Sequence, residues 1–188
     1  FMRFDLSTLS SHTPIVESPT PAPVWTGLWA NESATQNFAA QLAQALQTWS
    51  GGRDARIELR GNLGAGKTTL VRHLLRAAGV QGRIKSPTYA VVEPHQAGMG
   101  DSAWPIWHFD FYRFSDPQEW EDAGFRDIFA GPGLKLMEWP DKVAGQLPPA
   151  DLVIALHALD EDQRQVSMGA HTPAGQQWLR DWMDGHAG

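Results

Sequence analysis

The sequence RIELRGNLGAGKTT, residues 56–69, decides the fold of this chain. Its second part, Gly61 to Thr68, matches the pattern G-x-x-x-x-G-K-[ST] of a phosphate-binding loop, or P-loop. The residues before the match alternate between charged and apolar side chains, which predicts a short strand. After the match, leucine and valine recur at helical spacing, and Gly79 ends that pattern. Strand, loop and helix in this order are the setting that a P-loop requires.

The chemistry of the loop follows from its backbone and from two side chains. The three glycines permit backbone angles that other residues resist, so successive N–H groups can surround an anionic phosphate. Lys67 would reach the outer phosphates as a mobile positive charge. The hydroxyl of Thr68 would be one ligand of Mg²⁺, a cation that prefers oxygen donors. The alternative is a glycine-rich turn with a surface lysine, and the matching flanks weigh against it.

Length, composition and charge limit the class of protein. With 188 residues, 42% of them hydrophobic and 19% charged, the chain can form one domain with a packed core. It contains no cysteine, which excludes disulfides and a catalytic thiol and fits a reducing compartment such as the cytoplasm. No apolar run is long enough to span a bilayer, so we expect no membrane association. The net charge of −6, without a block of basic residues, predicts that any nucleic acid is held by a partner.

The chain divides into two parts of different composition. Residues 1–28 carry several prolines and many serines and threonines without periodicity, and we interpret them as a flexible N-terminal arm. Residues 29–188 form a single predicted domain. Its first helix would begin at Ser33, which starts a capping-box pattern that Gln36 completes. Residues 94–105 contain glycine, proline and few apolar side chains, which predicts a loop.

The order of the later elements indicates the fold class. Residues 152–159 and 164–168 are two β-rich runs across an acidic turn, which predicts a hairpin, and Thr172-Pro173 would start a last helix. Strand–helix units followed by a hairpin are typical of an α/β fold. We therefore predict a three-layer, P-loop NTPase-like domain with a partly parallel central sheet.

Two carboxylates are candidates to complete the site beside the P-loop. Glu138 ends an apolar strand, so its carboxylate would emerge at the sheet edge where ligands bind in open α/β sheets. Asp110 lies in a strand where period two places it with His108, opposite Phe109 and its aromatic neighbours. Burial of that carboxylate would require a metal, Lys67 or a water as partner. Each carboxylate could instead be a solvated charge, and a lone histidine such as His108 favours a structural role.

Four motifs occur in the order of a known family. They are GNLGAGKTT at residues 61–69, SPTY at 86–89, HFDFYR at 108–113 and EWP at 138–140. Together they make residues 31–170 resemble the TsaE (YjeE) family of bacterial ATPases. The resemblance implies a Mg-dependent ATP-binding and ATP-hydrolysing subunit that supports synthesis of threonylcarbamoyladenosine in tRNA. It also implies TsaB and TsaD as protein partners, contact with tRNA only through that complex, and slow hydrolysis by the subunit alone.

The resemblance also implies roles for particular residues. Thr68 and Glu138 would contact Mg²⁺, and Asp110 would either bind the metal through water or orient the attacking water. Lys67, Asp110 and Glu138 would be the catalytic set, with Trp139 packed beside them. Thr35 would lie near the base of ATP and Thr88 near its γ-phosphate. The remaining nucleotide contacts would come from the loop itself: Asn62, Leu63, Gly64, Ala65, Gly66, Lys67, Thr68 and Thr69.

Two other functions are compatible with a P-loop. A small-molecule kinase would use the same loop, but such enzymes close an arginine-rich segment over the phosphates. In this sequence Arg113 and Arg126 stand apart from each other, and no arginine-rich segment occurs. A nucleotide-dependent binding module would change a docking surface through residues 86–88 without useful hydrolysis. Detection of a phosphorylated product would indicate the kinase, and regulated docking without hydrolysis would indicate the module.

Overall fold

The computed structural model of the protein describes residues 22–87, 90–98, 100–115 and 118–186. Its strands are β1 (Val24–Trp29), β2 (Arg56–Arg60), β3 (Val92–Ala97), β4 (Trp104–Asp110), β5 (Leu134–Glu138), β6 (Leu152–Ala158) and β7 (Arg164–Gly169). Its helices are α1 (Glu32–Thr48), α2 (Lys67–Ala77), α3 (Gln118–Asp122), α4 (Phe125–Ala130) and α5 (Pro173–Gly185). None of these helices is both long enough and apolar enough to cross a bilayer.

The strands form one mixed sheet in the order β1-β7-β6-β2-β5-β4-β3. The central strand β2 pairs in parallel with both β5 and β6, and β4 pairs in parallel with β5. Antiparallel pairs flank this parallel centre, with β1 and β7 on one side and β3 on the other. The predicted α/β fold with a partly parallel central sheet is confirmed, and β2 carries the P-loop at the middle of that sheet.

Helices cover both faces of the sheet, which gives the predicted three layers. On one face α1, α2 and α5 pack against the sheet in a large cluster that includes Leu42, Leu75 and Leu179. On the other face α3 and α4 pack over the β4–β5 half in a second, aromatic cluster. Period two holds along β4: Phe109 belongs to the second cluster, while Ile106 belongs to the first. The burial pattern of β4 therefore confirms the predicted division of its two faces.

The start of the domain differs from the prediction in two ways. Residues 24–28 are not part of an arm, because they form most of β1 and pair with β7. Residues 1–21 of the predicted arm lie outside the described residues. Helix α1 starts one residue before Ser33, and Asn31 is its N-cap, since the Asn31 side chain accepts a hydrogen bond from the N–H of Ala34. The capping-box pattern located the helix but assigned its cap to the wrong residue.

The predicted loop at residues 94–105 is wrong at both of its ends, the second of which belongs to β4. Its first part belongs to β3, which pairs with β4 as an antiparallel hairpin. Pro94 is compatible with this strand because β3 lies at the edge of the sheet, where one side of the backbone needs no ladder hydrogen bonds. By contrast, the later hairpin of β6 and β7 and the helix capped by Thr172 are confirmed.

Candidate functional site

Three parallel strands end around one cavity. The P-loop follows β2, Asp110 is the last residue of β4, and Glu138 is the last residue of β5. Asp110 and Glu138 are directly opposite each other in the ladder between β4 and β5. The cavity has a volume of about 380 Å³ and is lined by Leu63, Gly64, Gly66, Lys67, Thr68, Thr69, Asp110, Tyr112, Arg113, Glu138 and Trp139. It lies at the carboxyl ends of the strands, where open α/β sheets bind their ligands.

The backbone of the P-loop depends on its glycines. Gly61, Gly64 and Gly66 have φ values of 137°, 79° and 102°, which L-amino-acid side chains rarely adopt. A Cβ atom at Gly61 would also overlap the carbonyl oxygen of Leu156 in the neighbouring strand β6. Gly66 is the N-cap of α2, and within the described part of the chain no side chain caps that helix end. The first N–H groups of α2 are therefore available for an anion, which is the arrangement that binds phosphate at helix N-termini.

The side chain of Lys67 folds back onto the P-loop and is held there by hydrogen bonds. Its side chain is buried, with 4% of the residue exposed, and its ammonium donates to the carbonyls of Gly61 and Asn62 at 2.7 and 2.9 Å. The same ammonium lies 3.9 Å from the centre of the Trp139 ring, a cation–π contact. Burial lowers the pKa of Lys67, whereas the charges of Glu138 and Asp110 act in the opposite direction.

The carboxylate of Glu138 makes two hydrogen bonds at the floor of the cavity. The Thr68 hydroxyl donates to Oε2 at 2.9 Å, and His108 Nε2 lies 2.8 Å from Oε1. Glu138 and His108 are both almost fully buried, with 2% and 1% exposed. Sequence reasoning missed the contact of His108 with Glu138. The available signal was period two in β4, which places His108 on the same face as Asp110.

Asp110 occupies the same cavity in a different environment. It is partly exposed, and its Oδ1 accepts a hydrogen bond from the N–H of Tyr112 at 3.0 Å. Partial burial raises the pKa of Asp110 above its ordinary value, and the negative charge of Glu138 raises it further. The Tyr112 N–H, His108 and Lys67 act in the opposite direction. The ionised Asp110 carboxylate therefore imposes an electrostatic penalty on the folded protein.

This penalty gives a stability prediction for Asp110→Asn. A raised pKa means that the folded state keeps the Asp110 proton at pH values where the unfolded chain loses it, so stability falls as the pH rises above 3.8. Removal of the charge should raise the free energy of unfolding at pH 7 by at most about 1 kcal/mol, given screening by water. The gain should shrink as the pH approaches 3.8. Denaturant unfolding without nucleotide at both pH values measures it.

Asp160→Asn is the matched control with the opposite sign. The pKa of Asp160 is lowered by hydrogen bonds from the N–H groups of Gln163 and Asp162, so its ionised form is favoured in the folded state. Loss of that charge should decrease stability at pH 7, with the difference disappearing at acidic pH. A lower stability of Asp110→Asn than of the unmodified protein at pH 7 would contradict the assigned environment of Asp110.

Two of the predicted nucleotide contacts, Thr35 and Thr88, lie outside the P-loop sequence. Thr35 is buried in α1 and lines a second cavity of about 130 Å³ together with Ala65, Gly66 and Thr69. This second cavity adjoins the main cavity at the P-loop, since Gly66 and Thr69 line both of them. Thr88 lies outside the described residues, so its predicted position near the γ-phosphate stays a prediction.

Aromatic residues form one wall of the main cavity. Trp139 lies beside Lys67, where the sequence predicted it, and its backbone adopts a φ of 59°, a left-handed conformation that is uncommon for a large residue. Tyr112 packs against its ring with 4.9 Å between ring centroids. Tyr112 and Arg113 line the cavity but were not among the predicted nucleotide contacts. Both belong to the HFDFYR motif, which could have identified them.

The donor set fits a nucleotide with Mg²⁺. Uncapped N–H groups, glycines with positive φ and a lysine suit phosphates, whereas a hydroxyl and a carboxylate suit Mg²⁺. Among the described residues, no group of three or more His, Asp or Glu is arranged to hold a metal ion by itself. Mg²⁺ usually keeps several waters and binds through one or two protein oxygens together with substrate phosphates, so Thr68 and Glu138 would suffice to hold it.

The P-loop lies between a central strand and a helix, and its threonine donates a hydrogen bond to a carboxylate at the end of another strand. These features define the chain as a P-loop NTPase-like protein. The family model described as threonylcarbamoyl adenosine biosynthesis protein TsaE matches residues 29–166. The chain belongs to the TsaE family.

Individual relatives agree with this assignment. Over 146 residues the chain is 39% identical to a Haemophilus influenzae protein named tRNA threonylcarbamoyladenosine biosynthesis protein TsaE, covering 77% of this chain and 89% of that protein. A protein of the same name from Aquifex aeolicus is 33% identical over 138 residues, which are 72% and 89% of the two chains. The crystal structure of Bacillus subtilis YdiB has the same fold, with a TM-score of 0.65 at 24% identity, covering 88% of this chain and 97% of that one.

Proposed function

We propose that this chain is a Mg-dependent ATP-binding and ATP-hydrolysing subunit that supports threonylcarbamoyladenosine modification of tRNA together with TsaB and TsaD. The observation that carries the proposal is the 2.9 Å hydrogen bond from Thr68 to Glu138 at the end of the P-loop. In this position the Thr68 hydroxyl and the Glu138 carboxylate would together hold Mg²⁺, a cation that prefers oxygen donors.

The residues of the site have separate tasks in this proposal. The N–H groups from Leu63 to Thr68 would bind the phosphates, and Lys67 would turn from the loop carbonyls towards the outer phosphates. Thr68 and Glu138 would hold Mg²⁺, which supplies positive charge to the phosphate oxygens during transfer. Asp110 is near enough to Lys67 and Glu138 to orient a water or to accept a hydrogen bond from metal-bound water. Thr35 would contact the base side of the nucleotide.

The role in tRNA modification is supported by the family. Its description and the names of the relatives refer to threonylcarbamoyladenosine biosynthesis. The net charge of −6 supports indirect contact with tRNA, because direct binding to nucleic acid normally needs a basic surface. We therefore assign tRNA contact to the partner proteins and the ATP cycle to this chain.

Release of phosphate from ATP with Mg²⁺ tests the proposal. We expect slow release by the chain alone and faster release when TsaB and TsaD are added, since the complex would complete the site. Glu138→Gln provides the baseline, because it should retain the fold and lose Mg-dependent hydrolysis. Absence of ATP binding, or no association with TsaB and TsaD, would overturn the proposal. A phosphorylated small-molecule product instead of free phosphate would indicate a kinase.

A further inference from the structure

Each oxygen of the Glu138 carboxylate has its own hydrogen-bond partner, and only one of the two partners lines the main cavity. Thr68, on Oε2, lines the main cavity, where a cation would enter. His108, on Oε1, does not line that cavity and is almost completely buried behind it. We propose that His108 is a positioning residue: it fixes the orientation of Glu138 and thereby sets the affinity of the site for Mg²⁺. This inference rests on the proposed function of Thr68 and Glu138 as metal ligands.

Burial makes the second partner necessary. Glu138 is 2% exposed, so an oxygen that loses its hydrogen-bond donor cannot regain one from bulk water. Thr68 would bind a cation through a lone pair of its hydroxyl oxygen, so the orientation of that hydroxyl would depend on the cation as well as on Oε2. The hydrogen bond from His108 to Oε1 shares no atom with the cation side of the carboxylate. The carboxylate would keep Oε2 directed into the cavity without having to reorganise.

The surroundings of His108 favour one tautomer of its ring and fix the position of the residue in the sheet. Its Nδ1 atom is buried and has no hydrogen-bond partner among the described residues. A proton on Nδ1 would therefore be a buried donor without an acceptor, so the tautomer with the proton on Nε2, facing Glu138, is favoured. The position of His108 in β4, opposite Leu136 of β5 and Glu93 of β3, fixes where the ring emerges from the sheet.

The burial of His108 is more easily explained by this role than by packing. Its neighbours on the same face include Ile106 from the same strand and Leu136 from the adjacent one, both fully buried. An aliphatic residue would fill such a place without the cost of an unpartnered ring nitrogen. Outer partners of metal ligands typically change metal affinity 10–100-fold when they are removed, and we expect a change of that order here.

Three substitutions separate positioning from packing. His108→Gln places an amide N–H at the distance from the backbone that Nε2 has, whereas the shorter amide of His108→Asn does not reach Glu138. His108→Leu removes the donor and keeps an apolar volume. The readout is the affinity for ADP measured by calorimetry in excess Mg²⁺ and again in EDTA, because the ratio of the two affinities reports the metal contribution without requiring hydrolysis.

We expect His108→Leu and His108→Asn to reduce the Mg-dependent gain in ADP affinity by about 10-fold or more, with little change in EDTA. His108→Gln should recover most of the gain. An unchanged gain in His108→Leu, or equal behaviour of the Gln and Asn variants, would overturn the inference. Thermal unfolding checks that each variant is folded, and if His108→Leu is not, the Gln and Asn pair still decides.

The unmodified protein distinguishes this inference from the proposed function. If it shows no gain in ADP affinity with Mg²⁺, then the proposed metal site is wrong and the inference is overturned with it. If the unmodified protein shows the gain and the His108 variants show the same gain, then only the role of His108 is wrong.

Discussion

Lys67→Ala is expected to weaken the binding of ATP with Mg²⁺ by about 100-fold or more. The reason is that two charge-assisted hydrogen bonds to phosphate would be lost, each contributing about 1.5–3 kcal/mol. Alanine also removes the donor that holds the carbonyls of Gly61 and Asn62, so the loop loses an internal link. Calorimetric titration with ATP measures the effect, and phosphate release should fall in parallel.

The control for this variant is Lys142→Ala. Lys142 is exposed in the short helix that follows Trp139, so its removal changes the net charge equally without touching the cavity. We expect its ATP affinity to stay within about twofold of the unmodified protein, since an exposed charge outside the cavity is screened by water and salt. Comparable losses of affinity in Lys142→Ala and Lys67→Ala would show that net charge, and not the P-loop contact, controls binding.

Gly61→Ala is expected to damage both the fold and the site. The φ value of 137° is unfavourable for alanine, and the added methyl group would overlap the carbonyl of Leu156 in β6. Backbone strain and overpacking each cost about 1–3 kcal/mol, so the free energy of unfolding should fall by about 3 kcal/mol. Because the loop starts at this residue, ATP affinity should fall as well. Denaturant unfolding and calorimetry measure the two effects.

Gly82→Ala separates backbone strain from steric overlap. Gly82 also has a positive φ, 77°, but a Cβ atom there would meet no atom of the other described residues within 4 Å. Its cost should be the conformational term of about 1–2 kcal/mol, with ATP affinity unchanged. If Gly61→Ala cost no more stability than Gly82→Ala and still bound ATP, the close approach of the P-loop to β6 would be contradicted.

The sequence predicted the parallel centre of the sheet more accurately than its edges. The strand Leu134–Glu138 and the P-loop strand have clear ends in the sequence, and the structure has them where the sequence placed them. Residues 94–97 of β3 were predicted as a loop because they include Pro94 and polar residues, a composition typical of loops. Their strand conformation depends on pairing with β4, a tertiary contact that local propensity does not contain.

Prediction of the site followed a similar division. The end of the predicted strand placed Glu138 at the sheet edge where ligands bind. Asp110 was predicted within a strand, as a carboxylate that would need a metal, Lys67 or a water as partner if buried. The contact between His108 and Glu138 depends on the relative register of β4 and β5, which the sequence does not state. The predicted role of Thr35 depends on how the two cavities meet around the P-loop, and it stays a prediction.

The order of the strands in the sheet determines when during translation the chain can fold. Among the residues that the structure describes, β2 pairs only with strands made after it. Thr68 is translated 70 residues before the glutamate that it contacts. Strand β1 pairs with β7, near the other end of the described chain. An intermediate on the ribosome that ends before β5 has the complete P-loop sequence but no neighbouring strand to support it. Because non-local pairing dominates, we infer that folding and nucleotide binding begin late in synthesis.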